Sequence, residues 1–153
     1  LLNDNQNISF LFIGRGPLEK KFDRMIKENS LLREKVTYIP SEIDILPAIA
    51  SMDIFLLTSQ IEGLPNVLIE SQCVGVPPIS TDVGGVSEII QDNINGLLVE
   101  DLGSINQFIN KVYKLKNNKS IYDQISRNSY AQSRVNFDKE VMIKKFIEIY
   151  NKD

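Results

Sequence analysis

Apolar runs alternate along this chain with stretches whose apolar residues recur at helical spacing. Ile8-Ser9-Phe10-Leu11-Phe12-Ile13 is almost continuously apolar, which predicts a strand buried on both faces. Gly14-Arg15-Gly16-Pro17 turns the chain, and Pro17 suits the first position of a helix carried by Leu18, Phe22, Met25 and Ile26. Val36-Thr37-Tyr38-Ile39 predicts a second strand, with a short helix after it around residues 43–52. Asp53 to Leu57 predicts a third strand, and a helix follows from about Leu64 to Val74. Pro78-Ile79-Ser80 reads as a short fourth strand. Gly84-Gly85 opens a helix with Val86, Ile89 and Ile90 apolar, and Gly96-Leu97-Leu98-Val99 reads as a fifth strand. The rest is helical. Ser104 with Gln107 makes a capping-box pattern for a helix through about Leu115. Ser120 with Asp123 suggests another start. Phe137-Asp138 precedes a last helix with Val141, Phe146, Ile149 and Tyr150 as its anchors.

Strands alternating with helices over short connections predict an α/β domain, Rossmann-like, with a doubly wound parallel sheet. No repeat, low-complexity tract or linker divides residues 1–153, so a single domain is expected. Sheets of this kind bind ligands beyond the carboxyl ends of their strands. That rim is expected to gather four loops: Gly14 to Pro17, Pro40 to Glu42, Thr58 to Pro65 and Asp82 to Gly85.

Composition narrows the classes. The 153 residues suffice for one domain with a core, and 42% hydrophobic with 24% charged residues is ordinary for a globular protein. No apolar run approaches the ~20 residues of a membrane helix. Leu1 to Asn7 is mostly polar and does not resemble a signal peptide. A net charge of −3 argues against nonspecific nucleic-acid binding. The single cysteine, Cys73, rules out an intrachain disulfide, fits a reducing compartment and reads as a small packed residue. With no histidine, no histidine base or metal ligand comes from this chain, and a structural metal site is not expected.

The loops differ in how much chemistry they imply. Gly14-x-Gly16-Pro17 lacks the third glycine of a dinucleotide fingerprint, because position 19 is Glu19. It reads first as a tight strand-to-helix turn, and second as a place where a phosphate approaches; Arg15 is either a phosphate contact or a solvated side chain. The Thr58 to Glu70 segment is more specific. Glu62 and a flexible Gly63 precede a helix whose first turn includes Pro65. A helix start presents unpaired N–H groups, here those of Asn66 and Val67, and a partial positive charge. A diphosphate fits there without a metal. Glu70 lies on that helix amid Val67, Leu68, Ile69, Cys73 and Val74, and a carboxylate in such a setting needs a partner. Either local N–H groups or a lysine cap it, or it accepts the hydroxyls of a ribose; Glu62, eight residues earlier, favours the ribose. Asp82-Val83-Gly84-Gly85 divides evenly between a turn that needs small residues and a ligand approach. Lys139, Lys144 and Lys145 read as a solvated face.

The segment Glu62-Gly63-Leu64-Pro65-Asn66-Val67-Leu68-Ile69-Glu70, with Gly75-Val76-Pro77, Ser80-Thr81-Asp82-Val83-Gly84-Gly85, Glu88-Ile89-Ile90 and Asn95-Gly96-Leu97-Leu98-Val99, resembles the C-terminal, nucleotide-sugar-binding domain of family 4 retaining glycosyltransferases, enzymes of the GT-B fold. The likeness runs from about Ile8 to the end. Its specific part is the pair of glutamates with seven residues between them. The resemblance implies that Glu70 binds the ribose of a UDP- or GDP-sugar and that Glu62 is the catalytic glutamate beside the transferred sugar. It implies that Gly63, Leu64, Pro65, Asn66 and Val67 line sugar and diphosphate, that Pro40 and Ser41 meet the base, and that Gly14, Gly16, Gly84 and Gly85 complete the donor site. No metal or other cofactor is implied. The resemblance also implies a glycan or lipid-linked acceptor, in surface polysaccharide or lipopolysaccharide biosynthesis. The setting it implies is the cytoplasm, with the intact enzyme at the inner face of the membrane.

The family's domain begins with one more strand and a turn carrying an arginine and a lysine for the diphosphate, and an acceptor-binding N-terminal domain precedes it. This chain shows neither, so it is expected to be a fragment of a two-domain enzyme, inactive alone. Two alternatives stand beside this expectation: a GT-B sugar-nucleotide epimerase, in which the two-glutamate loop is not expected, and a non-catalytic nucleotide-binding or interaction module.

Overall fold

A computed structural model of the chain describes residue 1 and residues 7–40 and 44–151. It is a mixed α/β structure with parallel strands throughout, and it divides into two compact units, Leu1–Ile45 and Leu46–Asp153.

The first unit holds β1 (Phe10–Ile13), α1 (Glu19–Glu28), α2 (Ser30–Lys35) and β2 (Val36–Ile39). β1 and β2 pair in parallel, Phe10 with Val36 through to Ile13 with Ile39. An aromatic stack fastens α1 to this pair. Phe22 meets Phe12 edge-on at 4.8 Å between ring centroids, and Tyr38 at 5.1 Å. Such contacts add about 0.5–1.5 kcal/mol to the area they bury. β1 is less buried than its composition predicts, and Phe12 is 43% exposed. The helical turn starts at Glu19 rather than Pro17, and Asn29 caps a further helix, α2, by accepting from the N–H groups of Leu31 and Leu32.

The second unit holds α3 (Leu46–Ala50), β3 (Phe55–Leu57), α4 (Asn66–Cys73), β4 (Pro78–Thr81), α5 (Val86–Ile89), β5 (Leu97–Val99), α6 (Ile105–Asn117), α7 (Lys119–Asn136) and α8 (Lys139–Tyr150). Its sheet runs β3-β4-β5, with Phe55 opposite Pro78 and Ile79 opposite Leu97. Every residue of the central β4 is buried. Pro78 stands at its first position, where a missing N–H is tolerated. One core cluster joins Leu68 of α4 to Val86, Ile89 and Ile90, with Phe55, Leu57, Ile69 and Leu98 packed against it.

The helices of this unit depart from the sequence reading at three points. α7 is capped by Asn118, which accepts from the Ile121 N–H, and not by Ser120. Asparagine is as good a cap as serine, and Asn118 stands two residues nearer the preceding helix end. Cys73 is exposed rather than packed, because α4 turns Leu68, Ser71 and Gln72 inward. The expected anchors of α8 are mostly outside: Phe146 is 55%, Ile149 66% and Tyr150 80% exposed. Among the elements described, α8 meets α7, and only Val141 is drawn in to half burial.

Candidate functional site

β3 ends at Leu57, and the chain crosses from Thr58 to Pro65 before α4 begins at Asn66. The middle of this crossing is exposed, with Ile61 89% accessible, whereas Pro65 at its end is buried. Pro65 occupies the N-cap of α4 with φ −74° and ψ 104°, and no side chain caps the helix. The Leu68 N–H bonds the Pro65 carbonyl at 3.0 Å. The first two N–H groups of α4, those of Asn66 and Val67, lie too early for an intrahelical acceptor. They keep their hydrogen-bonding capacity at the positive end of the helix dipole.

Glu70 lies on the next turn, between core residues of the same helix, and is half-buried. Its Oε2 is buried and meets no hydrogen-bond donor among the described residues. The local N–H cap or lysine that would make Glu70 a plain structural carboxylate is therefore not among its neighbours at that oxygen. Gln72 Oε1 is a second buried atom of this kind. Its amide, however, is engaged: Nε2 donates to the Ile89 carbonyl at 3.4 Å and to the Asn95 carbonyl at 3.3 Å. Asn95 in turn donates to Ile89 and accepts from the Gln91 N–H, and the Ser129 hydroxyl donates to the Asn95 carbonyl at 2.6 Å. This buried polar web holds α4 against α7 and the turn before β5. The sequence pattern did not disclose it, since single polar residues in a buried helix face give no periodic signal.

Glu62 is half-buried and Gly63 and Leu64 are exposed. Gly84 and Gly85 lie directly against them. The Gly85 N–H donates to the Gly63 carbonyl at 2.8 Å. A Cβ on Gly84, at φ +55°, would stand 1.9 Å from the Glu62 carbonyl oxygen, and one on Gly85 would stand 2.6 Å from that of Gly63. These glycines thus admit a neighbouring backbone. Thr81 adds a further tether, its hydroxyl donating to the Ser59 carbonyl at 2.6 Å.

In the first unit, Gly14 has φ +124°, outside the range of ordinary side chains. Gly16 has room for a Cβ and is not sterically required. Tyr38 donates its hydroxyl to the Gly14 carbonyl at 3.1 Å, and Arg15 Nε donates to the Pro40 carbonyl at 2.9 Å, so Arg15 ties Gly14's turn to the end of β2. Pro40 also lines a cleft of about 330 Å³ with Glu19, Lys20, Asp23, Ile26, Val36 and Tyr38. Ser41 lies outside the described residues. The structure brings Glu62, Gly63, Gly84 and Gly85 together in the second unit, with Leu64 to Val67 and Glu70 following on the same strand-loop-helix segment. Gly14, Gly16 and Pro40 gather in the first.

Parallel strands linked by helices, with an uncapped helix start after β3, define a Rossmann-like domain of the GT-B glycosyltransferase type. The chain belongs to the glycosyl transferases group 1 family, whose pattern matches residues 1–132. Among curated relatives, the Vi polysaccharide biosynthesis protein VipC/TviE of Salmonella typhi is 35% identical over 63% of this chain and 17% of its own length. The capsular polysaccharide biosynthesis glycosyltransferase CapM of Staphylococcus aureus is 25% identical over 99% of this chain and 40% of its own length. The chain thus spans less than half of either relative. Among solved structures, Anabaena Alr3699/HepE in complex with UDP-glucose superposes with a TM-score of 0.86 at 20% identity, over 97% of this chain and 42% of that one. No described helix is long and apolar enough to cross a membrane.

Proposed function

We propose that this chain is the donor-binding domain of a family 4 retaining glycosyltransferase that moves a sugar from a UDP- or GDP-sugar to a glycan or lipid-linked acceptor. The observation that carries the proposal is the unpartnered, buried Oε2 of Glu70 on the helix whose first N–H groups carry no side-chain cap. A carboxylate oxygen in that state is matched by a donor hydroxyl, and a nucleotide brings two on its ribose. The helix start, one turn back, suits the diphosphate. Glu62 then lies on the sugar side of the phosphates. The reaction needs no divalent cation in this reading, since the helix dipole and its N–H groups take the diphosphate charge. Relatives named for capsular and Vi polysaccharide biosynthesis support a surface-glycan pathway, and the neighbour solved with UDP-glucose supports a uridine nucleotide. The work would take place in the cytoplasm at the inner face of the membrane.

Calorimetric titration of UDP, GDP and their sugars, with and without EDTA, tests the reading. Binding of one nucleotide that survives EDTA and collapses in Glu70→Ala is expected. Equal affinity in the unsubstituted chain and a folded Glu70→Ala variant would sink the ribose assignment. In a turnover assay of the full-length enzyme, Glu62→Ala should lower kcat by at least about 100-fold, the loss of a few kcal/mol of transition-state contact. UDP affinity should stay within about threefold; a matching loss of UDP affinity would place Glu62 at the nucleotide instead.

A further inference from the structure

The Thr58 to Pro65 crossing carries Glu62 at its centre, and its own residues do little to fix it. Gln60, Ile61, Gly63 and Leu64 are all exposed. Strand β3 holds one end and the buried Pro65 holds the other. Both bonds that fasten the middle come from one neighbouring segment, the end of β4 and the turn after it. Thr81 bonds the Ser59 carbonyl at 2.6 Å and Gly85 bonds the Gly63 carbonyl at 2.8 Å. These carbonyls lie three residues before Glu62 and one after it. Between the two bonds, the Gly84 backbone rests against the Glu62 peptide so closely that no Cβ fits.

From this arrangement we infer that Thr81, Gly84 and Gly85 form a clasp that positions Glu62, and that their role in the donor site is indirect. The inference rests on the functional reading above. Thr81 is anchored at the carboxyl end of a fully buried central strand. From there its hydroxyl transmits that rigidity to an exposed loop. Gly85 extends the same support past Glu62. With the Glu62 carbonyl packed against Gly84 and the chain tethered at Ser59 and Gly63, the backbone that carries the Glu62 carboxylate is restrained from both directions. Catalytic groups must be held within about half an ångström of their working geometry, so a loop this exposed requires such support. The helix start at Asn66 does not depend on the clasp, because Pro65 and Leu68 anchor it separately in the core. The clasp therefore governs the sugar end of the donor and leaves the nucleotide end alone.

Two substitutions probe it without disturbing the core. Gly85 has φ −85°, which alanine adopts freely, so Gly85→Ala acts by pressing on the Gly63 carbonyl and, less closely, on the Leu64 side chain. Thr81→Val keeps the shape and removes the hydroxyl, and Thr81→Ser restores it. Affinities for UDP, UDP-glucose, UDP-galactose and UDP-N-acetylglucosamine are measured by calorimetry on each full chain, with circular dichroism as the check on folding. For the sugar nucleotide that the unsubstituted chain prefers, Gly85→Ala and Thr81→Val should each lose about tenfold, the equivalent of one hydrogen bond. UDP itself should stay within twofold, and Thr81→Ser should recover most of the loss. Equal losses for UDP and its sugar would overturn the clasp and leave a merely structural contact. No loss in either variant would overturn it too. If Gly85→Ala fails to fold, the Thr81 pair decides. Where the unsubstituted chain binds GDP instead, the same comparison is made with GDP and its sugars; failure to bind either nucleotide or any of their sugars would instead overturn the functional reading, and the clasp with it.

Discussion

Glu70 shows how a single atom separates structural from functional roles. A carboxylate kept for stability is expected to be paired, because an unpaired buried acceptor costs about 1–3 kcal/mol. Glu70 Oε2 is unpaired among the described residues. Replacement by an apolar residue of similar volume removes that cost. Glu70→Met should therefore leave the midpoint of urea unfolding unchanged or raise stability by up to about 1 kcal/mol, while UDP affinity falls at least about tenfold. A variant that loses more than about 2 kcal/mol of stability would show that Glu70 holds the fold, and would return it to the plain carboxylate reading.

At the scale of elements, helix ends give the sharpest test. Asn118 closes α6 and opens α7, its side chain accepting from the Ile121 N–H at 3.1 Å. Asn118→Ala should cost about 1 kcal/mol in denaturant unfolding and speed amide exchange in the first turn of α7. An unchanged exchange rate there would mean that Ser120 or solvent does the capping. The same helix shows what the chain pattern could and could not disclose. β2 was legible to the residue, because Val-Thr-Tyr-Ile is a β-branched and aromatic run between the charged Glu34-Lys35 and Pro40. The loop between β3 and α4 was legible too, because strand, glycine, proline and apolar helix follow one another without ambiguity. α7 was legible only in part, because its buried positions include Ser129 and Ser133, which no hydrophobic period reveals. The anchors of α8 were misread for the opposite reason. Apolar residues on a helix predict burial, and Phe146 and Ile149 are largely exposed. In the site, Glu62 and Glu70 stood out by type and spacing. The clasp did not, since its bonds are made by backbone carbonyls distant in sequence.

For the molecule as a whole, the two units share one electrostatic feature. Each holds a tyrosine whose hydroxyl is pushed above its ordinary value. In the first unit, burial raises Tyr38, Glu19 and Asp23 add to this, and Arg15 opposes it. In the second, burial raises Tyr122, with Asp53 and Asp123 adding to it. In both cases folding favours the neutral hydroxyl, and Tyr38 uses it to donate to the Gly14 carbonyl. The folded value lies above the unfolded value of about 10. The resulting stability is fully present below about pH 10 and is lost as pH rises through the raised values. Urea unfolding midpoints should therefore hold steady below about pH 10 and fall as pH rises further, in step with tyrosinate absorbance at 295 nm. The comparison that decides is with a Tyr38→Phe, Tyr122→Phe double variant. That variant should start lower, lacking the Gly14 bond, and decline less steeply. Parallel decline of the two proteins would remove the tyrosines from the account.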